Sequence, residues 1–223
     1  QAAGPAITTG GSNVIMGEEI ATALTTGSRN VIIGKTAGVT ATDMDDSVII
    51  GYYAGYTMNA HDNVAIGVQA SSLVTTGASN VVMGHFAGKV ATTGQENVLI
   101  GKDAGVAQTT ANYNTCVGAF AGATNVTGYG NTYVGFDAGF YSTTNFNTYV
   151  GYYAGLRQTT GSSNTGVGEE AGENLTTGEN SVFLGYQAGH VVSTGTQNTM
   201  LGSLAGDAVT TGDNNTVIIN THS

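Results

Sequence analysis

The chain has 223 residues, including 35 Gly and 34 Thr, while Asp, Glu, Lys and Arg together make up only 9%. Ordinary soluble domains are about 25% charged, but 40% hydrophobic residues argue against a disordered polymer. A formal charge of −10 disfavours nucleic acid, no run of about 18 apolar residues spans a membrane, one Pro excludes collagen, and the single Cys116 excludes an internal disulfide. No basic and apolar leader of the secretory kind opens the sequence.

In chain order, a lead-in or cap at 1–12 is followed by twelve repeats of 16–17 residues over 13–214, and a partial repeat closes the chain at 215–223. Glycines mark the period at Gly17, Gly34, Gly51, Gly67, Gly84, Gly101, Gly118, Gly135, Gly151, Gly168, Gly185 and Gly202. Counting each unit from the residue four before that Gly, the pattern is Asn-x-x-x-Gly-x-x-Ala-Gly-x-x-x-Thr-Thr-Gly-x-x. Position 1 is Asn in eleven units and Ser at Ser47 and Ser181. So short a repeat with so many Gly excludes helix pairs. Positions 2–4, such as Val31-Ile32-Ile33 and Thr132-Tyr133-Val134, are β-prone. The expected fold is all-β: a parallel β-solenoid or β-roll of about twelve 17-residue coils. Like residues then stack in columns about 4.8 Å apart.

The columns have structural roles. Asn can bond along its own column, Gly at position 5 allows a positive φ or a close backbone approach, and Ala at position 8 suits a thin interior. Alternation along a strand puts positions 2 and 4 on one side and position 3 on the other. Positions 2 and 4, always Val, Thr, Ile, Leu or Met, fit the interior. Position 3 is then an outer apolar column, and Ile15, Ile32, Ile49, Val82, Leu99, Tyr133, Tyr149, Phe183 and Met200 are expected at a subunit interface.

Positions 6 and 7 follow the Gly turn and vary most. They carry Tyr52, Tyr53, Phe86, Phe120, Phe136, Tyr152, Tyr153 and Tyr186, which are candidates for a receptor- or ligand-binding surface. His61, His85, His190 and His222 share no spacing with Cys or carboxylates that would suggest a metal site. Asp43-x-Asp45-Asp46 replaces one Thr-Thr-Gly corner and lacks the calcium nonapeptide pattern. No acid pair interrupts the repeat as an active-site cleft would. No catalytic residue, cofactor or metal is expected.

The unit resembles the repeats of bacteriophage tail fibres and related adhesins, through Asn198-Thr199-Met200-Leu201-Gly202, Asn164 to Gly168 and Thr159-Thr160-Gly161. It is also similar to the head repeat of YadA-type trimeric autotransporter adhesins, through Asn180 to Ala188. These resemblances imply an elongated parallel homotrimer outside the cell, a virion tail fibre or a bacterial surface adhesin head. Its partners would be itself and a host cell-surface glycan or protein, without nucleic acid or membrane insertion. Fibres of the first kind often precede an intramolecular chaperone that cuts after a Ser, which makes Ser223 a candidate processing site. An ice-binding solenoid is the alternative from another class. Against it, the paired Thr of positions 13 and 14 are adjacent and would face opposite ways.

Overall fold

In a computed structural model, residues 6–219 are described, and they contain strands and turns without a helix. The chain divides into two compact units at Tyr113 and Asn114. The first holds β1 (Val14–Met16), β2 (Val31–Ile33), β3 (Val48–Ile50), β4 (Val64–Ile66), β5 (Val81–Met83) and β6 (Val98–Ile100). The second holds β7 (Thr115–Val117), β8 (Thr132–Val134), β9 (Thr148–Val150), β10 (Thr165–Val167), β11 (Val182–Leu184), β12 (Thr199–Leu201) and β13 (Thr216–Ile218). Within each unit every strand pairs in parallel with the next, like position against like, as in Ile32↔Ile49 and Tyr133↔Tyr149. The expected β-solenoid is therefore the fold, one coil per repeat. Residues 8–10 already belong to this pattern, since Thr8 N–H donates to the Thr25 carbonyl at 2.9 Å.

Each coil leaves its strand at the position-5 Gly. At Gly67 φ is 132°, and a Cβ there would stand 2.6 Å from the carbonyl oxygen of Gly84 in the next coil. Both the dihedral and the close stacking therefore require Gly. The N–H of position 8 closes a turn onto the position-5 carbonyl, as in Ala87 to Gly84 at 3.3 Å. Position 7 inside that turn has positive φ in side chains as large as Tyr53 (57°) and Phe86 (58°). Such residues visit this region at a cost of about 1–2 kcal/mol each, which the stacking of neighbouring coils must offset. Inter-coil bonds continue beyond the strands, for instance from Thr40 N–H to the Tyr56 carbonyl at 3.1 Å and from Thr75 N–H to the Thr92 carbonyl at 2.9 Å.

The Asn column is a buried ladder. Asn80 N–H and its Nδ2 donate to Asn63 Oδ1 at 3.0 and 3.2 Å, and Asn97 does the same to Asn80 at 2.9 and 3.1 Å. Each Nδ2 also donates across its own coil to position 15, as Asn80 does to the Gly94 carbonyl at 2.9 Å. One side chain thus closes its coil and joins it to the next. Ser47 and Ser181 keep the join: their Oγ atoms accept from the N–H groups of Asn63 and Asn198, both at 3.1 Å.

The strand faces the opposite way from the sequence expectation. Ile32, Ile49, Val82, Leu99, Tyr133, Tyr149, Phe183 and Met200 are buried within the chain itself, and Ile15, in the first complete coil, is half-buried. They form the solenoid core and cannot be the contact surface between subunits. The reason is parity: position 1 points inward with its ladder, so position 3 does too, and positions 2 and 4 point out. Inside, position 3 meets Ala at position 8 and a variable residue at position 12. In one part of the core, Phe183, Leu175, Val192 and Met200 cluster with Ala171, Ala188 and Ala205. Large and small residues compensate. Tyr133 is accommodated with Ser142 at position 12 of its own coil, its hydroxyl donating to Ser142 Oγ at 2.6 Å. The Tyr133 and Tyr149 rings stack at 6.1 Å, and burial pushes both phenols well above their ordinary pKa.

Candidate functional site

The turn after the position-5 Gly places positions 6, 7, 10 and 11 along one edge of each coil. Position 6 projects outward, so Tyr52, Phe136, Tyr152 and Tyr186 are 40–47% exposed. Position 7 lies flatter, leaving Tyr53, Phe86, Phe120 and Tyr153 half-buried. Neighbouring coils bring several of these rings together. Phe120 meets Phe136 edge-on at 6.0 Å, Phe136 stacks on Tyr152 at 5.6 Å, and Tyr152 lies 4.0 Å from Tyr153. The adjoining Tyr153 hydroxyl is the main reason that the Tyr152 phenol is pushed up to about 12. In the first unit, Tyr53 stacks on Tyr56 at 5.0 Å and meets Tyr52 edge-on at 4.7 Å. Lys89 sits 4.6 Å above the Phe86 ring.

Two grooves open on this edge, one in each unit. The first, about 380 Å³, is lined by Tyr52, Tyr53, Tyr56, Gln69, Ser72, Leu73 and Lys89. The second, about 370 Å³, is lined by Asp137, Phe140, Tyr141, Tyr153, Leu156, Arg157 and Glu173. Both are built from positions 7, 10 and 11 of three successive coils, with Tyr52 at position 6 added in the first. The same feature of the repeat therefore makes each hollow, and only the side chains differ. Ring faces beside a few polar heads suit a flat amphipathic ligand. In the second groove, burial holds the Asp137 carboxyl above its ordinary pKa.

Charged groups pair along columns. Arg29 grips Asp46 with two bonds at 2.6 and 2.7 Å, and that pairing holds the Asp46 carboxyl below its ordinary pKa. Asp43 accepts from Thr26 Oγ1 at 2.9 Å and Asp45 from Ser28 N–H at 2.7 Å. The three acids thus each serve the preceding coil and do not converge on a common point. Lys35 reaches Glu18 at 3.0 Å, which lowers the pKa of Glu18.

One cluster escaped the linear reading. His190 Nε2 lies 3.0 Å from Glu173 Oε2 and 3.8 Å from Glu170 Oε2. His190 and Glu173 both occupy position 10, 17 residues apart, so they are neighbours only once the chain coils. Writing the sequence in rows of one repeat would have shown it. His222 and Ser223 lie outside the described residues.

No family model matches the chain, and no curated protein or solved structure matches it either.

Proposed function

We propose that this chain is a structural and adhesive fibre segment that self-associates through the outward face of its strands. The supporting observation is the run of side chains at positions 2 and 4. In the first unit they are all aliphatic, from Val14 and Met16 through Val48 and Ile50 to Val98 and Ile100. Val14 is 48% and Met16 61% exposed on the end strand, and from β2 to β6 these side chains are half-buried apart from the exposed Met83. Two aliphatic side chains per coil, repeated without a charge, form a continuous apolar strip rather than scattered exposed residues. A second copy aligned in parallel offers the same strip at the same spacing. The homotrimeric number, the placement on a virion tail fibre contacting a host cell surface, and the alternative as a bacterial adhesin head come from the repeat resemblance. The edge grooves are the surfaces proposed to meet a glycan or protein receptor.

Light scattering on the purified chain tests the assembly, with a trimer expected at about three times 22.4 kDa. Val48→Asp with Ile50→Asp should return it to a folded monomer, because a carboxylate buried in an apolar contact costs several kcal/mol. Ile49→Asp, one residue away, should instead unfold its region. A stable wild-type monomer at micromolar concentration would overturn the proposal.

One observation favours the ice-binding alternative. In the second unit, position 2 is Thr at Thr115, Thr132, Thr148, Thr165, Thr199 and Thr216, facing outward beside Val, Leu or Ile at position 4. The position-13 Thr do not help that reading, since hydroxyls such as Thr75 and Thr159 donate to the next coil's carbonyl at 2.9 and 3.0 Å. Ice-recrystallisation inhibition by the wild type, lost in Thr132→Lys with Thr148→Lys, would favour ice over self-association.

A further inference from the structure

We infer that Glu170, Glu173 and His190 form a binding site for a divalent transition-metal ion of the Zn²⁺ class, a clamp between two successive coils. The three ligand atoms lie within 4.8 Å of one another. A tetrahedral ion with bonds of about 2.0–2.2 Å holds its ligands about 3.4 Å apart. The His190–Glu173 and His190–Glu170 separations of 3.0 and 3.8 Å bracket that spacing, so small side-chain rotations complete the geometry. The inference does not depend on the fibre reading.

The surroundings are arranged as second-layer support. Gln187 Nε2 donates to Glu170 Oε2 at 2.6 Å and orients the carboxylate, whose oxygens each carry two lone pairs. Asn174 Nδ2 donates to the His190 carbonyl at 2.8 Å, steadying the backbone that carries the imidazole. Arg157 approaches Glu173 through the other oxygen, Oε1, at 3.8 Å, leaving Oε2 to face His190. Glu173 is buried and the other two are half-buried, so the ligands are held rather than waving in solvent. With the imidazole neutral, as metal ligation requires, Arg157 stands beside Glu173 while Glu170 has Gln187 and His190 as its neighbours, and a cation offsets the carboxylate charge. An imidazole ligand selects borderline transition metals over Ca²⁺ and Mg²⁺, which take oxygen alone.

The experiment is calorimetric titration of the chelator-stripped full chain with ZnCl₂, alongside His190→Ala. The wild type should bind one equivalent more than the variant. Loss of this ligand should weaken the site by more than the about 10–100-fold that outer-layer changes cost. Because the ligands come from two coils, Zn²⁺ should raise the wild-type melting temperature and leave that of His190→Ala unchanged. Glu170→Gln, a near-isosteric change at a half-buried position, repeats the test should His190→Ala fold poorly. Equal uptake by wild type and variants, or no uptake by the wild type, would overturn the site.

Discussion

The ring of Tyr149 fills the space of the side chain that Gly166 lacks. The two residues are directly paired in β9 and β10, and a Cβ on Gly166 would stand 2.7 Å from Tyr149 Cδ1. A core only one side chain thick balances volume between neighbouring coils as well as within one. Gly166→Ala should therefore destabilise the protein by about 1–3 kcal/mol, the usual cost of overpacking. In a Tyr149→Val background the same change should cost clearly less, leaving the Ala171 carbonyl oxygen, 3.0 Å from that Cβ, as the remaining tight contact. Urea denaturation of the four proteins measures the coupling, and additive effects would contradict this account.

The Asn ladder yields a graded series at Asn80. Alanine removes the acceptor for the Asn97 N–H and the donor to the Gly94 carbonyl, leaving buried groups unsatisfied at about 1–3 kcal/mol each. Serine, as Ser47 shows, keeps the join between coils and gives up the closure within one. Stability should fall in the order Asn, Ser, Ala by chemical denaturation, and an Ala variant as stable as the Ser variant would refute the ladder's role.

Asp137 carries a pH signature. Burial raises its folded pKa above the unfolded value, so the charged form is a cost of folding above that folded pKa. The cost fades as pH falls through the folded pKa and is gone below the unfolded one. Asp137→Asn, whose amide also tolerates the positive φ of 53°, should be more stable than wild type at pH 7. The gap in melting temperature between the two should close as the pH is lowered toward 3.

For adhesion, Tyr52, Tyr53, Tyr152 and Tyr153 changed together to Ser should abolish cell or glycan binding while the assembly stays intact. Each aromatic anchor contributes about 2 kcal/mol or more when it is central to a contact. Unchanged binding, with an unchanged far-UV spectrum, would assign these rings to packing alone.

The coil architecture was legible in the sequence because a fold made of one repeated solution writes its period into Gly and Asn. The direction of the strand faces is not written as plainly. Triplets such as Val31-Ile32-Ile33 are apolar on both sides and carry no alternation of their own. Two signals held the answer: Asn at position 1 shares its parity with position 3, and Thr stands at position 2 in six strands of the second unit. Position 3 also varies from Gly166 to Tyr149, the mark of a packed interior in which one coil compensates the next. The Glu170, Glu173 and His190 cluster was hidden for a different reason. Its His190 contacts run at 17 and 20 residues, one repeat or more, a distance at which linear motifs are not sought.

In each unit, the backbone bonds and the Asn bonds between coils all run along the direction of stacking. A pull along that direction puts the full load on every junction in series, so the weakest yields first and the bonds elsewhere cannot relieve it. Such a stack yields as a spool does, one loop after another. Each loop of 17 residues releases about 55–60 Å of extended chain. A force–extension trace should therefore be a staircase of equal treads, with a slightly shorter tread for the 16-residue coils at 47–62 and 131–146.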